Sequence, residues 1–539
     1  MLAGCTPWPK ELAETYSKQG YWQDITLWDV LHQAAEKWPS KTALVDGERR
    51  FTYQDLKEKS EQLAVHLSAL GLKQQERVIL QIPNMAEFLI VFYALIRIGV
   101  IPVMALRAHR YNEIRHFAAH AEAVAYFGPS RLKDFDYAAM AEEIRADCSS
   151  LRDILVVGQA APGQISIDDL LASEAPSTHG DLPVLNPSEV ALMLLSGGTT
   201  ALPKMIPRTH NDYVLNNREA SRLAGFDEST VFLAILPMGH NFTLGCPGVL
   251  GCFYRGGLVV LSPAMDADTV FGVIAREKVT VIPLTPPLIV QWLNAGVGER
   301  YDISSLQVVQ HGGARVLPEL RKRLRAQWRC ASQEIYGTAE GMLCFVRLDD
   351  PEDIVLESSG APMLDIDEIK VVDEEGHLLQ DGEAGEMLAR GPYTIRGYYN
   401  APETNAQAFT TDGFYRMGDV VRKRGRYVYT EGRKKELINR GGEKISSEEV
   451  ENLIIRHPDV AAVCLIALPD AVYGERACAC VILHPDRNLT LAQLNAFLME
   501  QRIAKFKLPE RLEIVLEFPM SPAGKVLRRK LKEAIETLP

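Results

Sequence analysis

The chain has 539 residues, more than one ordinary domain needs, and its length fits two to four. Apolar residues make up 47% and charged residues 24%, the composition of a globular protein with a substantial core, which excludes disorder, collagen and a small disulfide scaffold. The formal charge is -12, so a general polyanion binder is excluded and no nucleic-acid partner is expected, although a phosphate can still be held locally.

The N-terminal residues carry no basic-then-apolar targeting pattern. Short apolar runs at 42–45, 77–82, 100–106, 123–127, 154–157 and 190–195 read as strands, with helical patterns between them. One helix is predicted after Thr52, where Thr52 and Asp55 have capping-box spacing, ending at Gly71. Residues 88–106 resemble a membrane span, but Arg97, Gly99 and Pro102 interrupt them. A central Arg costs ~2.5–3.5 kcal/mol on insertion, so this stretch is predicted to be a buried helix followed by a core strand, with no membrane span. Such alternation gives an α/β fold with parallel sheets covered by helices. A β-rich part is expected near 350–430, including the Gly- and aromatic-rich segments 391–399 and 413–419. A fresh αβ pattern follows: a helix at 447–457, strands near 460–468 and 477–483, and a helix at 491–502. The boundary falls at Glu436, dividing a core, 1–435, from a C-terminal domain, 436–539. The nine cysteines are odd in number, scattered in apolar runs and form no CxxC pair, which reads as reduced thiols in a cytoplasmic protein.

The strongest local signal follows the run at 190–195: Ser196, Gly197, Gly198, Thr199, Thr200, Ala201, Leu202, Pro203 and Lys204. The glycines let backbone N–H groups approach a ligand, while the hydroxyls and Lys204 add donors and positive charge. This suits a triphosphate, yet no Gly-Lys-Ser/Thr closes it as a Walker loop would. Here the sequence resembles the adenylate-forming (ANL) enzymes, over essentially its whole length. Their phosphate loop usually has Gly where this chain has Ala201.

Further segments match that family in order. Gly312, Gly313 and Ala314 resemble the turn beside the adenine. Ile335, Tyr336 and Gly337 resemble the adenine-lining segment, and Glu340 its magnesium ligand. Asp419 resembles the acid that accepts both ribose hydroxyls. Arg433 resembles a residue near the ribose, and Glu436 the hinge pivot. Gly441, Gly442 and Lys444 resemble the loop that faces the site during thiol transfer. Lys525 resembles the adenylation lysine.

The resemblance implies a core of αβαβα-type subdomains with a β-rich subdomain and a smaller, mobile α+β lid. It also implies ATP and Mg²⁺, and a reaction in which a carboxylate attacks the α-phosphate to give an acyl-AMP. Two anions must meet, so Lys204, Lys525 and magnesium at Glu340 supply positive charge there.

Within the superfamily, the segment holding His240, Asn241, Phe242 and Cys246 resembles aryl-acid AMP ligases of siderophore biosynthesis. So do the phrases at 207–213, 390–399 and 439–444. Amino-acid-activating relatives place Asp where this chain has Asn241, because a buried ammonium must be paired. Asn241 favours an acid without an amino group, with His240 between its carboxylate and the α-phosphate. Gly313 also borders the acid. Enzymes for 2,3-dihydroxybenzoate generally carry Ser at the position of Cys246 and Val at that of Leu343; salicylate-activating relatives carry Cys and Leu.

The expectation is a salicylate-AMP ligase that loads the phosphopantetheine thiol of an aryl carrier protein. A 2,3-dihydroxybenzoate-AMP ligase and an aryl-CoA ligase are the alternatives, and a non-catalytic nucleotide sensor would not be expected to keep Lys525 and Asp419. Arg422–Arg426 is a basic stretch that could serve CoA. Arg528 and Arg529 are the expected contact for an acidic carrier. His311, where relatives usually carry a small aliphatic residue, reads as a satisfied, partly buried histidine.

Overall fold

The computed structural model describes the chain except residues 177–181, 197–202, 314, 434–436, 441–442, 471–472, 502, 504, 522–524 and 538–539, together with the side chains of 433, 439, 443 and 444. Among the described residues, two large mixed sheets form the core. The first has nine strands. Six are parallel neighbours in the order Ala331–Thr338, Val308–Gly312, Val281–Leu284, Val231–Ala234, Leu258–Leu261 and Thr42–Asp46, with antiparallel strands at both edges. The second has seven strands and is parallel except at the pair Val190–Leu195 and Met205–Thr209. Parallel strands covered on both faces read as continuous apolar runs, which is why the short runs in the sequence locate them.

The helix Tyr53–Ala69 begins with both halves of the predicted capping box, and Gly71 follows it at φ +88°. The helix Ala86–Arg97 and strand Ile101–Met104 replace the apparent membrane span. Arg97 lies at the helix end, where its Nη1 donates to the Pro183 carbonyl at 3.0 Å. Among the described residues, no helix is long and apolar enough to cross a membrane.

A four-stranded antiparallel sheet, Glu368–Val372, Ala384–Arg390, Tyr415–Arg424 and Tyr427–Arg433, supplies the β-rich part. The segment 391–399, expected to be β structure, forms no strand. Its backbone is bonded to other parts of the core instead: Ile395 N–H to the Glu340 carbonyl at 2.7 Å and Tyr399 N–H to the Met205 carbonyl at 3.0 Å. Tyr393, Tyr398 and Tyr399 are buried, so burial of three rings replaces ladder pairing.

The last sheet begins at Ile438 and is built around the long hairpin Val460–Asp470 and Gly474–Leu483. The helices Ser447–Ile454 and Leu491–Glu500 bury Val450, Ile454, Leu494 and Leu498 in one apolar cluster. Helix Arg528–Glu536 buries Leu531 and Ile535 in another, with Cys464, Cys478 and Cys480. All nine cysteines are free thiols.

Candidate active site

Three parallel strands of the large sheet, Val308–Gly312 beside Ala331–Thr338, and Val231–Ala234 one strand further on, lead at their carboxyl ends into residues singled out in the sequence: Gly313, Glu340, and His240 and Asn241. Open α/β sheets bind ligands at that end. Glycine is required at the turn between them. A Cβ on Gly312 would lie 2.7 Å from the Ile335 carbonyl oxygen, and Gly313 has φ +81°. At Gly313 a Cβ would lie 3.1 Å from Cε and 4.0 Å from Nζ of Lys525, so the C-terminal lysine reaches the core here. Reciprocal bonds, Ser521 N–H to the Lys525 carbonyl at 2.7 Å and Lys525 N–H to Ser521 Oγ at 2.9 Å, hold its backbone.

His240 caps the short helix Asn241–Gly245. Its Nδ1 accepts the Phe242 N–H at 3.2 Å, so the neutral ring carries its proton on Nε2. Burial, and then the charge of Lys525, lower its pKa to about 4. Asn241 Oδ1 accepts the Tyr213 hydroxyl at 2.8 Å. Cys246 follows the helix, and burial pushes its thiol up to about 12, so it is a neutral wall. Phe242, Cys246, Ile335 and Leu343 share one apolar cluster. Leu343 stands opposite Gly337 in the strand pair, and a Cβ on Gly337 would lie 2.7 Å from Leu343 Cδ2.

Two further groups carry carboxylates. Asp419 is buried and its Oδ2 accepts the Tyr336 hydroxyl at 2.7 Å. Glu340 is buried and its Oε1 accepts the Tyr398 hydroxyl at 2.7 Å, while Tyr398 also bonds the Tyr415 hydroxyl at 3.2 Å. Lys204 Nζ lies 4.7 Å from the Tyr398 ring centroid. Ser196 N–H donates to the Lys204 carbonyl and Lys204 N–H to Ser196 Oγ, both at 2.9 Å, so the two ends of the Gly/Thr-rich segment are bonded to each other. Magnesium is usually held by one or two carboxylates plus substrate phosphates. The Glu340 carboxylate has lone pairs beyond the one Tyr398 uses, and Lys204 packs on that same tyrosine, so the donor set fits that ion.

The structure thus brings together Lys525, Gly312, Gly313, His240 and Phe242 around one turn. Asn241, Cys246, Ile335, Gly337 and Leu343 lie on one flank, and Tyr336, Asp419, Glu340 and Lys204 occur as two phenol-linked groups. Gly197, Gly198, Thr199, Thr200, Ala314, Glu436, Gly441 and Gly442 lie outside the described residues, as do the side chains of Arg433 and Lys444.

Two expectations are corrected. His311 is not partly but fully buried: Nε2 bonds Ser332 Oγ at 2.8 Å and Nδ1 lies 3.6 Å from Glu334, whose carboxylate pairs with the buried Arg321. Arg528 is not an open docking charge, because both Nη atoms donate to the Glu451 carboxylate, at 2.8 and 3.2 Å. Arg529 remains exposed, with Glu533 at 3.4 Å.

Sequence reasoning named Tyr336 but missed Tyr213, Tyr398, Tyr415 and Arg208. Arg208 is fully buried. Its Nε bonds Asp212 at 2.7 Å and its Nη1 donates to the carbonyl of Ala339, the residue before Glu340. Tyr213, Arg208 and Tyr398 lie in phrases that carry the family resemblance, but a phrase does not reveal a partner.

The description "AMP-binding enzyme" matches residues 31–399, and "AMP-binding enzyme C-terminal domain" matches 449–525. The chain is 45% identical to the 2,3-dihydroxybenzoate-AMP ligase of Bacillus subtilis, over 99% of this chain and 98% of that protein. It is 43% identical to a salicylyl-CoA synthase / salicylate adenylyltransferase of a Streptomyces species, over 99% and 98%. Among solved structures, apo MbtA of Mycobacterium smegmatis is 35% identical with a TM-score of 0.76, covering 98% of this chain and 99% of that one. The anthranilate CoA ligase AuaEII with anthranoyl-AMP is 25% identical with a TM-score of 0.88, covering 95% and 98%. A fold whose C-terminal lysine meets the strand ends of its core, matched by both parts of one family in order, makes this chain a member of the adenylate-forming AMP-binding enzymes.

Proposed function

We propose that the protein activates an aryl acid, salicylate in preference, as its adenylate and passes it to the phosphopantetheine thiol of an aryl carrier protein in siderophore assembly. The observation that carries this reading is the neutrality of the acid pocket. Asn241 is engaged by Tyr213, His240 is held neutral, and Cys246 and Leu343 supply the walls, so nothing in this set pairs an ammonium. Relatives with aryl-acid names at 43–45% identity support it.

In this reading the acid lies along Asn241, Phe242, Cys246, Gly313 and Leu343. His240 Nε2–H donates to its carboxylate. Lys525 bridges that carboxylate and the α-phosphate, so the charge that develops as the carboxylate oxygen bonds phosphorus and pyrophosphate departs is met by a fixed cation. Ser196, Gly197, Gly198, Thr199, Thr200 and Lys204 hold the phosphates. Asp419 and Arg433 hold the ribose, and Gly312, Gly313, Ala314, Ile335, Tyr336 and Gly337 line the adenine. Magnesium held at Glu340 supplies further positive charge to the phosphates. For the second step, the lid (436–539) turns on Glu436 and presents Gly441, Gly442 and Lys444 to the thiol. The reduced thiols fit a cytoplasmic setting.

The second reading is the same chemistry on 2,3-dihydroxybenzoate, favoured by the name of the Bacillus relative. CoA as acceptor is the third, favoured by the Streptomyces relative. Against the latter, Arg422 and Lys423 of the basic stretch already face Glu431 at 2.7 Å and Asp381 at 3.7 Å. ATP–pyrophosphate exchange with salicylate, 2,3-dihydroxybenzoate, benzoate and amino acids tests the acid. Preference for an amino acid overturns the pocket reading, and preference for 2,3-dihydroxybenzoate overturns only the choice of salicylate.

A further inference from the structure

Leu343 owes its position to two residues far from it in sequence. Tyr393, fully buried in the irregular segment after Gly391, accepts the Leu343 N–H on its hydroxyl oxygen at 3.1 Å and donates its own proton to Asp367 Oδ2 at 2.7 Å. Asp367 Oδ2 is fixed in turn by the Leu364 N–H at 2.9 Å. At the opposite end of the same residue, the Tyr393 carbonyl accepts Arg208 Nη2 at 3.2 Å and lies only 2.4 Å from where a Cβ on Gly341 would be. Tyr393 therefore presses on both Gly341 and Leu343, the beginning and middle of the strand Gly341–Phe345.

The Leu343 N–H has a specific reason to need this partner. Leu343 is paired with Gly337, and the register shifts between Gly337 and Thr338, so the ladder is irregular beside it. A buried N–H there must be satisfied from outside the strand pair. A phenol oxygen delivered by a rigid ring fixes the strand more tightly than water would.

We infer that Asp367 and Tyr393 are positioning residues for acid selectivity: through the bond to the Leu343 backbone they set how far the Leu343 side chain intrudes on the aryl ring. The inference rests on the aryl-acid reading above. The carboxylates of the proposed nucleotide face accept from other tyrosines, Asp419 from Tyr336 and Glu340 from Tyr398.

The test is pyrophosphate exchange with salicylate, benzoate and 2,3-dihydroxybenzoate in the wild type, Tyr393→Phe, Asp367→Ala and Asp367→Asn. Tyr393→Phe keeps the ring and removes both bonds. The loss of one such bond corresponds to roughly a five- to tenfold change. KM for salicylate should rise by about that factor, with KM for ATP within about twofold of wild type and a smaller preference for salicylate over 2,3-dihydroxybenzoate. Asp367→Ala should move the same ratio in the same direction. Asp367→Asn keeps an acceptor for the phenol and should restore it. A wild type that exchanges with no aryl acid overturns the aryl-acid reading and this inference with it. A wild type active on aryl acids, whose Tyr393→Phe variant loses thermal stability or raises both KM values alike while the acid ratios stay fixed, overturns the inference alone.

Discussion

On the proposed nucleotide side of the site, Asp419 and Glu340 are carboxylates, and each accepts a tyrosine hydroxyl at 2.7 Å. On the proposed acid side stand Asn241, neutral His240 and neutral Cys246, and the tyrosine there, Tyr213, bonds an amide. The same device, a phenol locking a polar side chain, thus serves two ends. In the proposed function it orients carboxylates toward the ribose hydroxyls and a cation on one side. On the proposed acid side it leaves no counter-charge, so selection there would rest on shape, and an apolar pocket rejects an added hydroxyl only weakly. Lys525 lies beside Gly313 and acts electrostatically on His240.

The largest test of that division is removal of the cation proposed to serve both sides. Lys525→Ala should lower ATP–pyrophosphate exchange by at least ~10²–10³-fold, as loss of one fixed transition-state donor does. Near-normal exchange would remove Lys525 from the chemistry. A smaller effect is expected where shape alone selects. Cys246→Ser with Leu343→Val should shift the preference from salicylate toward 2,3-dihydroxybenzoate by up to ~10²-fold, read as the ratio of kcat/KM values, since an apolar pocket rejects an added hydroxyl weakly. An unchanged ratio would mean that neither side chain meets the 3-position of the ring.

The smallest expected effect is a flat line. His240 has its pKa lowered to about 4 by burial, with Lys525 adding to it. A lowered histidine pKa means that the neutral ring persists as pH falls through the ordinary histidine range and protonates only near the lowered value. The kcat/KM profile for the acid should therefore show no inflection from His240 near pH 6.5. His240→Gln should lower the rate without changing the shape between pH 5.5 and 8, as roughly the neutral range above that pKa. An inflection near 6.5 that vanishes in the variant would show a histidine that charges in the working range.

The sequence made much of the fold legible because the relevant signals are local. The capping box at Thr52 and Asp55 needs only a three-residue spacing, and the structure keeps both of its bonds. The helix and strand hidden in the apparent membrane span were legible from Arg97 and Gly99. The segment 391–399 was not, because its aromatics and glycines have β-like composition while its backbone partners, Glu340 and Met205, lie elsewhere in the chain. His311 was misjudged for the same reason: its company of Ser332, Glu334 and Arg321 comes from the adjacent strand and the covering helix. Arg528 stood in a basic run that suggested a docking face, and only the fold shows Glu451 beneath it.

By itself, then, the sequence determined the alternation of strands and helices, the two-part organisation and the order of the family's segments. The tertiary structure decided the pairings: Tyr336 with Asp419 across 83 residues, Tyr398 with Glu340 across 58, Tyr393 with Leu343 across 50, and Lys525 with Gly313. The physical reason is range. Periodicity and capping depend on neighbours a turn or a strand away, whereas these contacts depend on which strands lie side by side and where the chain leaves their ends, and strand order is set by packing of the whole sheet.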